Sequence, residues 1–386
     1  MKKNVIRFLS LFMLLVMALS LFTGCKKQEA EEESESEQHS SVVINSEITR
    51  ETTTVKEESS EEESSEESSE ESSQVVELKY INPLTGEPCA EDLTNRRPFA
   101  FMCNNIWMAM PQVGVSQADI IFEELDEGTT RFEVFFADPS DVDVIGTIRS
   151  ARLYNVETAT GYEAFLCHCG GSSEATNTIW NWGVEDLDEI TGSYLYGSYF
   201  RDPSRGYYGS EHTLFANGGL CVRSVTESNG YDPNHSDDFD TTYGLIFSDK
   251  AVDQCTEDAA SISVVHAGGK GTYFEYDEEL QAYIMYQYDA EYTDNGVARV
   301  PFANVLNIYA RTWLQEDGVH LSIELTEGEG TYFTMGRAVA IKWYKDGAYD
   351  TFHFTLEDGT PLEFSVGKTF VCVNQCGSYQ GECYWE

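Results

Sequence analysis

The sequence predicts an α+β protein, with a mixed α/β N-terminal domain followed by a mostly antiparallel β C-terminal domain. Three observations carry this reading. All of the 22 Tyr, 21 Phe and 6 Trp except Phe8, Phe12 and Phe22 lie at or beyond Tyr80, and the length of that aromatic body suits two domains. Up to about Phe247 strand and helix patterns alternate. Beyond 260 nearly every segment alternates apolar and polar residues between turns such as Asp346-Gly347 and Asp358-Gly359.

Residues 1–25 read as an export signal. Met1, Lys2, Lys3 and Arg7 form a basic start, and Phe8 to Phe22 form an apolar run that is short for a membrane span of about 20 residues. The run ends at Leu21-Phe22-Thr23-Gly24-Cys25. This resembles a bacterial lipobox, with Phe22 where Leu is more usual, and the resemblance implies a diacylglyceryl group on Cys25. An ordinary cleaved signal or an anchor helix is the alternative. Two acyl chains suffice for stable anchoring, so the expected partner is the lipid bilayer and the expected location the extracytoplasmic side of the cell membrane. Residues 26–79 follow as a tether. Positions 28–73 hold 17 Glu and 13 Ser with no aromatic residue, too little apolar surface to offset ordering, and a flexible chain of that length spans roughly 35–40 Å.

Residues 80–248 form the expected first domain. Ala118 to Leu125 and Arg131 to Ala137 read as strands around an Asp-Glu-Gly-Thr turn. Ser150 to Gly161 reads as a helix with Ser150 as N-cap, and Ala164 to Cys169 as an apolar strand ending in Gly170-Gly171. Residues 249–260 read as a linker. Within 261–386, strands are expected at Ala282 to Tyr288, Asn304 to Ala310, His320 to Leu325, Arg337 to Tyr344 and Thr351 to Leu356.

The net charge of −43 excludes a nucleic-acid partner. The signal region contributes +5, residues 28–73 contribute −15 and the body −33, whereas phosphate backbones demand a basic footprint. Nine cysteines besides Cys25 leave an odd number, so at least one thiol is free or bridged between molecules. Cys372, Cys376 and Cys383 crowd the C-terminus, where burial, a disulfide or a weak metal site are open alternatives. No metal and no cofactor is assigned.

Several segments together resemble one family. They include Asn82-Pro83-Leu84-Thr85-Gly86, Arg97-Pro98-Phe99-Ala100, Pro111 through Ile120, Gly146-x-x-Arg149-Ser150-Ala151-Arg152 and His168-x-Gly170-Gly171-Ser172. Residues 80 to 380 thereby resemble the YerB-like lipoproteins of monoderm bacteria, two tandem domains of unknown function. The resemblance implies an envelope location and a two-domain organisation, and no activity.

The chemistry rests on the residues. Between Tyr80 and Asp249 there are eight arginines and no lysine. Arginine offers a rigid fork for carboxylate or phosphate. Arg131, Arg149, Ser150 and Arg152, with the loop at Gly170 and Gly171, form a candidate anion or ligand site, with Arg149 and Arg152 expected on one helical face. The alternatives are internal pairing with Asp119, Glu123, Glu124 or Glu127, or catalytic electrostatics. His168, His212 and Glu124 are candidate acids or bases; a hydrogen-bonded structural histidine and an arginine-paired glutamate are the other readings. The expected function is binding of a cell-wall glycan or an envelope protein. The alternative is a cell-wall polymer hydrolase or transferase using His168, His212 or Glu124, with Arg149 and Arg152 stabilising charge.

Overall fold

The computed structural model describes residues 78–386, which belong to one compact unit. The signal segment, Cys25 and all but the end of the 26–79 tether lie outside the described residues. No helix among the described residues is long and apolar enough to cross a membrane.

In chain order the elements are β1 (Phe99–Asn104), β2 (Ile120–Asp126), β3 (Thr129–Phe136), α1 (Leu153–Gly161), β4 (Phe165–His168), α2 (Ser173–Trp182), β5 (Asp186–Asp188) and α3 (Gly218–Glu227). They continue with β6 (Ser261–Val265), β7 (Gly271–Asp277), β8 (Ala282–Gln287), β9 (Asn304–Leu314), β10 (Leu321–Glu324), β11 (Glu327–Thr334), β12 (Arg337–Tyr344), β13 (His353–Leu356), β14 (Thr369–Gly377) and β15 (Glu382–Trp385). The molecule is sheet-rich, and the three α-helices among the described residues all precede Ser228.

One sheet runs through both halves of the sequence, in the order β12-β11-β9-β14-β2-β3-β1-β4-β5, with β10 on β9, β13 on β12 and Glu257–Asp258 at the β12 edge. Its seam is β14. That strand pairs in parallel with β9 on one side and with β2 on the other, Thr369 facing both Asn304 and Ile120. A parallel strand needs a long crossover; here residues 315–368 join β9 to β14, and the whole of 127–368 joins β2 to it.

Strand alternation places one set of side chains on each face. Ile121, Phe132, Val134, Val305 and Phe370 meet a second sheet, ordered β8-β7-β6-β15, at Ile262, Phe274 and Met285. Ile120, Phe122, Phe135, Leu306 and Val371 meet α1 at Tyr154, Val156 and Ala159 and the 352–364 region at Phe352 and Phe364. Helix α2 joins this second face through Ala175, while α3 packs on the first through Cys221 and Val225.

The β2–β3 hairpin matches the expected strands and turn. Glu127 (φ 52°) and Gly128 (φ 92°) occupy its two-residue tip, as a type I′ turn requires. The expected helix 150–161 begins three residues later, at Leu153. Residues 149–151 are held extended instead, because Arg149 N–H donates to Met102 C=O (2.8 Å) and Ala151 N–H to Gly170 C=O (3.0 Å). Arg149 and Arg152 therefore do not share a helical face, and Ser150 is no cap; its hydroxyl donates to Cys169 C=O (2.9 Å). The expected linker 249–260 is woven into the body. Ala251 and Ala259 are buried, and Thr256 N–H donates to Ala338 C=O (2.9 Å).

Candidate functional site

The acidic end of β2 organises the first cluster. On the helix face, Asp126 receives Arg131 at 2.7 Å and Arg152 at 3.0 Å, and Arg152 also pairs with Glu127. Arg131 donates to the Ser150 carbonyl as well. Both guanidiniums are buried, so their forks are spent inside the protein. Arg96, Arg97, Arg201 and Arg223 pair with Asp138, Glu185, Glu189 and Glu227. Arg149 and Arg205 are different: neither has a carboxylate within ion-pair distance among the described residues. Arg149 makes a 3.5 Å contact with the Glu211 carbonyl, and its Nε is buried without a partner. Arg205 donates to the Ala109 and Pro111 carbonyls at 2.6 and 3.0 Å.

His212 stands between these two in its electrostatics. Asn104 Oδ1 accepts from Ile106 N–H (3.3 Å), so its amide nitrogen faces His212 Nδ1 as a donor at 3.0 Å. The ring proton then sits on Nε2. Burial pushes the His212 value down; Glu211 opposes this, and Arg149 and Arg205 reinforce it. The imidazole is thus neutral with an N–H to offer.

His168 is committed on both sides. Nδ1 faces the Gly170 carbonyl at 2.8 Å and Nε2 faces Asp186 at 2.9 Å. Burial opposes its charge, but Asp186, Asp188 and the Gly170 carbonyl outweigh it and raise its value. With an acceptor on each ring nitrogen, it turns no lone pair toward a ligand. The glycine loop does receive an anion, one from its own chain: Gly170 N–H donates to Asp188 Oδ1 at 2.6 Å. Gly171 bridges to Ala151.

Glu124 lies fully buried beside Glu133. Asn155 donates to Glu124 Oε2, and Oε1 of both glutamates has no partner. Burial raises both carboxyls, Glu124 to about 8, against the pull of Lys345 and Asn155. Lys345, buried beneath a 290 Å³ pocket, is pushed down to about 8 by its own burial.

On the opposite sheet face, Glu123 gathers donors from both halves. Lys270 Nζ (3.0 Å), Thr130 Oγ1 (2.7 Å) and Asn105 Nδ2 (3.2 Å) reach Oε1, and Thr272 Oγ1 (2.7 Å) reaches Oε2. Burial alone would raise this carboxyl, yet Lys270, His266 and the hydroxyl of Thr130 hold it far below the usual range. Glu123, His266 and Cys372 bring potential metal-ligand atoms within 4.8 Å. The donor set does not fit a metal. Gln375 accepts Ala267 N–H and donates to Val373 C=O, which turns its amide N–H toward His266 Nδ1 (3.1 Å). The His266 proton therefore falls on Nε2, which lies 3.3 Å from Glu123 Oε2 without a hydrogen bond, and Lys270 already balances the carboxylate. No disulfide occurs among the described residues: all nine cysteines of the body, Cys372, Cys376 and Cys383 included, are free thiols.

The structure thus brings Arg131, Ser150, Arg152 and Gly170 into one packed neighbourhood, encloses Glu124 and His168, and leaves Arg149 and His212 with unused donors. Sequence reasoning gave no site role to Asn104, Asn105, Trp107, Tyr208 or Gln287. Asn105 and Gln287 meet across 182 positions, and no local pattern marks them.

The two halves match the N-terminal domain (residues 84–231) and the C-terminal domain (residues 262–371) of a protein family of unknown function, DUF3048. The chain is 26% identical over 299 residues to "Putative lipoprotein YerB" of Bacillus subtilis (strain 168), covering 75% of this chain and 85% of the relative. The crystal structure of the YerB protein from Bacillus subtilis superposes with a TM-score of 0.66 at 22% identity, covering 79% of this chain and all of the other. That likeness speaks to the fold.

Proposed function

The chain belongs to the YerB-like lipoprotein family, and from that premise we propose that it is a membrane-anchored extracytoplasmic binding protein that takes an anionic group of a cell-wall glycan or envelope protein at Arg149, His212 and Arg205. The lipid anchor at Cys25 and the membrane location are part of this reading. One observation carries it: among the described residues, six of the eight arginines between Tyr80 and Asp249 are paired with carboxylates, while Arg149 and Arg205 are not. On a body of net charge −33, an unpaired guanidinium with a buried orphan Nε is a selective place for one carboxylate or phosphate. His212 adds a neutral N–H donor. Binding is favoured over hydrolysis because His168 has no free lone pair and Glu124 is sealed in the core.

The test is Arg149→Ala in the full-length chain in detergent, titrated with inorganic phosphate and with solubilised wall fragments. Losing one charge-assisted contact weakens binding about tenfold or more, and in the unsubstituted protein the anion raises the titration midpoint of His212 seen by NMR. A folded variant that binds both probes unchanged sinks the assignment.

A further inference from the structure

A cleft of about 370 Å³ opens where Trp107 to Pro111 and Tyr208 face residues 287–296, within the ~300–1,000 Å³ of small-ligand sites. Trp107 and Tyr208 stand exposed at its mouth (54% and 47%), ring centroids 5.4 Å apart. Gln287 forms part of its wall. It is only 3% exposed, and its Oε1 is buried without a hydrogen-bond partner, an uncommon state for a native side chain.

The orientation of that amide is set from a distance. Glu123 is an acceptor, so Asn105 turns its Nδ2 toward it and its Oδ1 toward Gln287, whose Nε2 donates at 2.9 Å. Gln287 is left presenting its carbonyl oxygen. The hydroxyls of Tyr288 and Tyr292 are spent on the Asn105 carbonyl and on Gln112. Glu291, on the rim, is already paired with Arg299 at 2.9 Å, and none of the described residues lining the cleft itself is Lys, Arg or His.

We propose that this cleft binds an uncharged sugar ring of a wall glycan, its C–H face against Trp107 and Tyr208 and a hydroxyl or acetamido N–H donating to Gln287 Oε1. Aromatic faces suit the apolar side of a pyranose. An amide oxygen without a partner, on a wall that carries no cationic side chain of its own, suits a neutral donor such as a hydroxyl or an acetamido N–H. This site is carried by Gln287 and stands whether or not Arg149 binds an anion.

The full-length chain in a sugar-free zwitterionic detergent is titrated with N,N′,N″-triacetylchitotriose, following tryptophan fluorescence and heat. Saturable binding is expected, insensitive to added salt and to Arg149→Ala. Gln287→Leu and Tyr208→Ala each weaken it about tenfold; the exposed Tyr208 keeps the test decisive if the Gln287 variant does not fold. Absence of saturable binding, indifference to Tyr208→Ala, or tighter binding of an uncharged peptide of similar size overturns the proposal. Failure here with phosphate binding intact at Arg149 leaves the anion site standing, and the reverse also holds.

Discussion

Asp126 holds two guanidiniums at the end of β2, and its contacts decide how much of the arginine set is available to a ligand. Replacing it with Asn keeps the shape and removes the charge, leaving Arg131 and Arg152 buried without a full counter-charge. Breaking such a pair costs about 3–5 kcal/mol, so Asp126→Asn should lower the urea midpoint sharply, whereas Arg223→Ala, which breaks an exposed pair, should leave it in place. The presence of arginine in place of lysine was legible from composition, as was the choice between inward pairing and outward display. Which arginine does which was not legible, because Arg131 and Arg152 find Asp126 through a hairpin tip and an extended segment that the sequence suggested was helical.

Strand β2 shows how an element can be read correctly and still hide its chemistry. Its alternation and the turn at Glu127-Gly128 were evident, and so was the division of Glu123 and Glu124 between opposite faces. What alternation does not state is the partner on each face: Glu123 meets Lys270 and is charged, while Glu124 meets Glu133 and is held protonated. The folded value of Glu124 lies above its ordinary 4.5, near 8. Between these values the unfolded chain releases a proton that the folded chain keeps, so this carboxyl makes stability fall as pH rises from 4.5 toward 8. Glu124→Gln should flatten that fall, matching the parent near about pH 4 and melting at a higher temperature near about pH 8, as thermal scans across the range would record. An equal offset at every pH would contradict the burial of a neutral acid there.

At the scale of the whole molecule, β14 joins what sequence comparison divides. It lies between β9 and β2 in the middle of the sheet, and Glu123 draws Lys270 and Thr272 across the same seam. Helix α1 meets the second half just as closely: a Cβ on Gly161 would lie 2.2 Å from the Asp350 carbonyl. Residues 80–248 and 261–386 expressed separately should therefore lack the dispersed amide spectrum of a folded domain, and the full-length chain should unfold in one cooperative transition by both fluorescence and circular dichroism. Independent folding of either half would show the seam to be a docking surface instead of a shared core. The sheet-rich character, the β2–β3 hairpin, the acidity and the family were all legible in the amino-acid order, because periodicity, turn residues and charge are local or additive. The folded arrangement alone settles which arginines remain without a carboxylate, which histidine keeps a donor to offer, and that Gln287 lines a cleft with its buried oxygen left without a partner. The arginine pairs close over 4 to 88 positions, His212 finds Asn104 across 108 and Gln287 finds Asn105 across 182, and no local pattern in the chain states which of these partners meet.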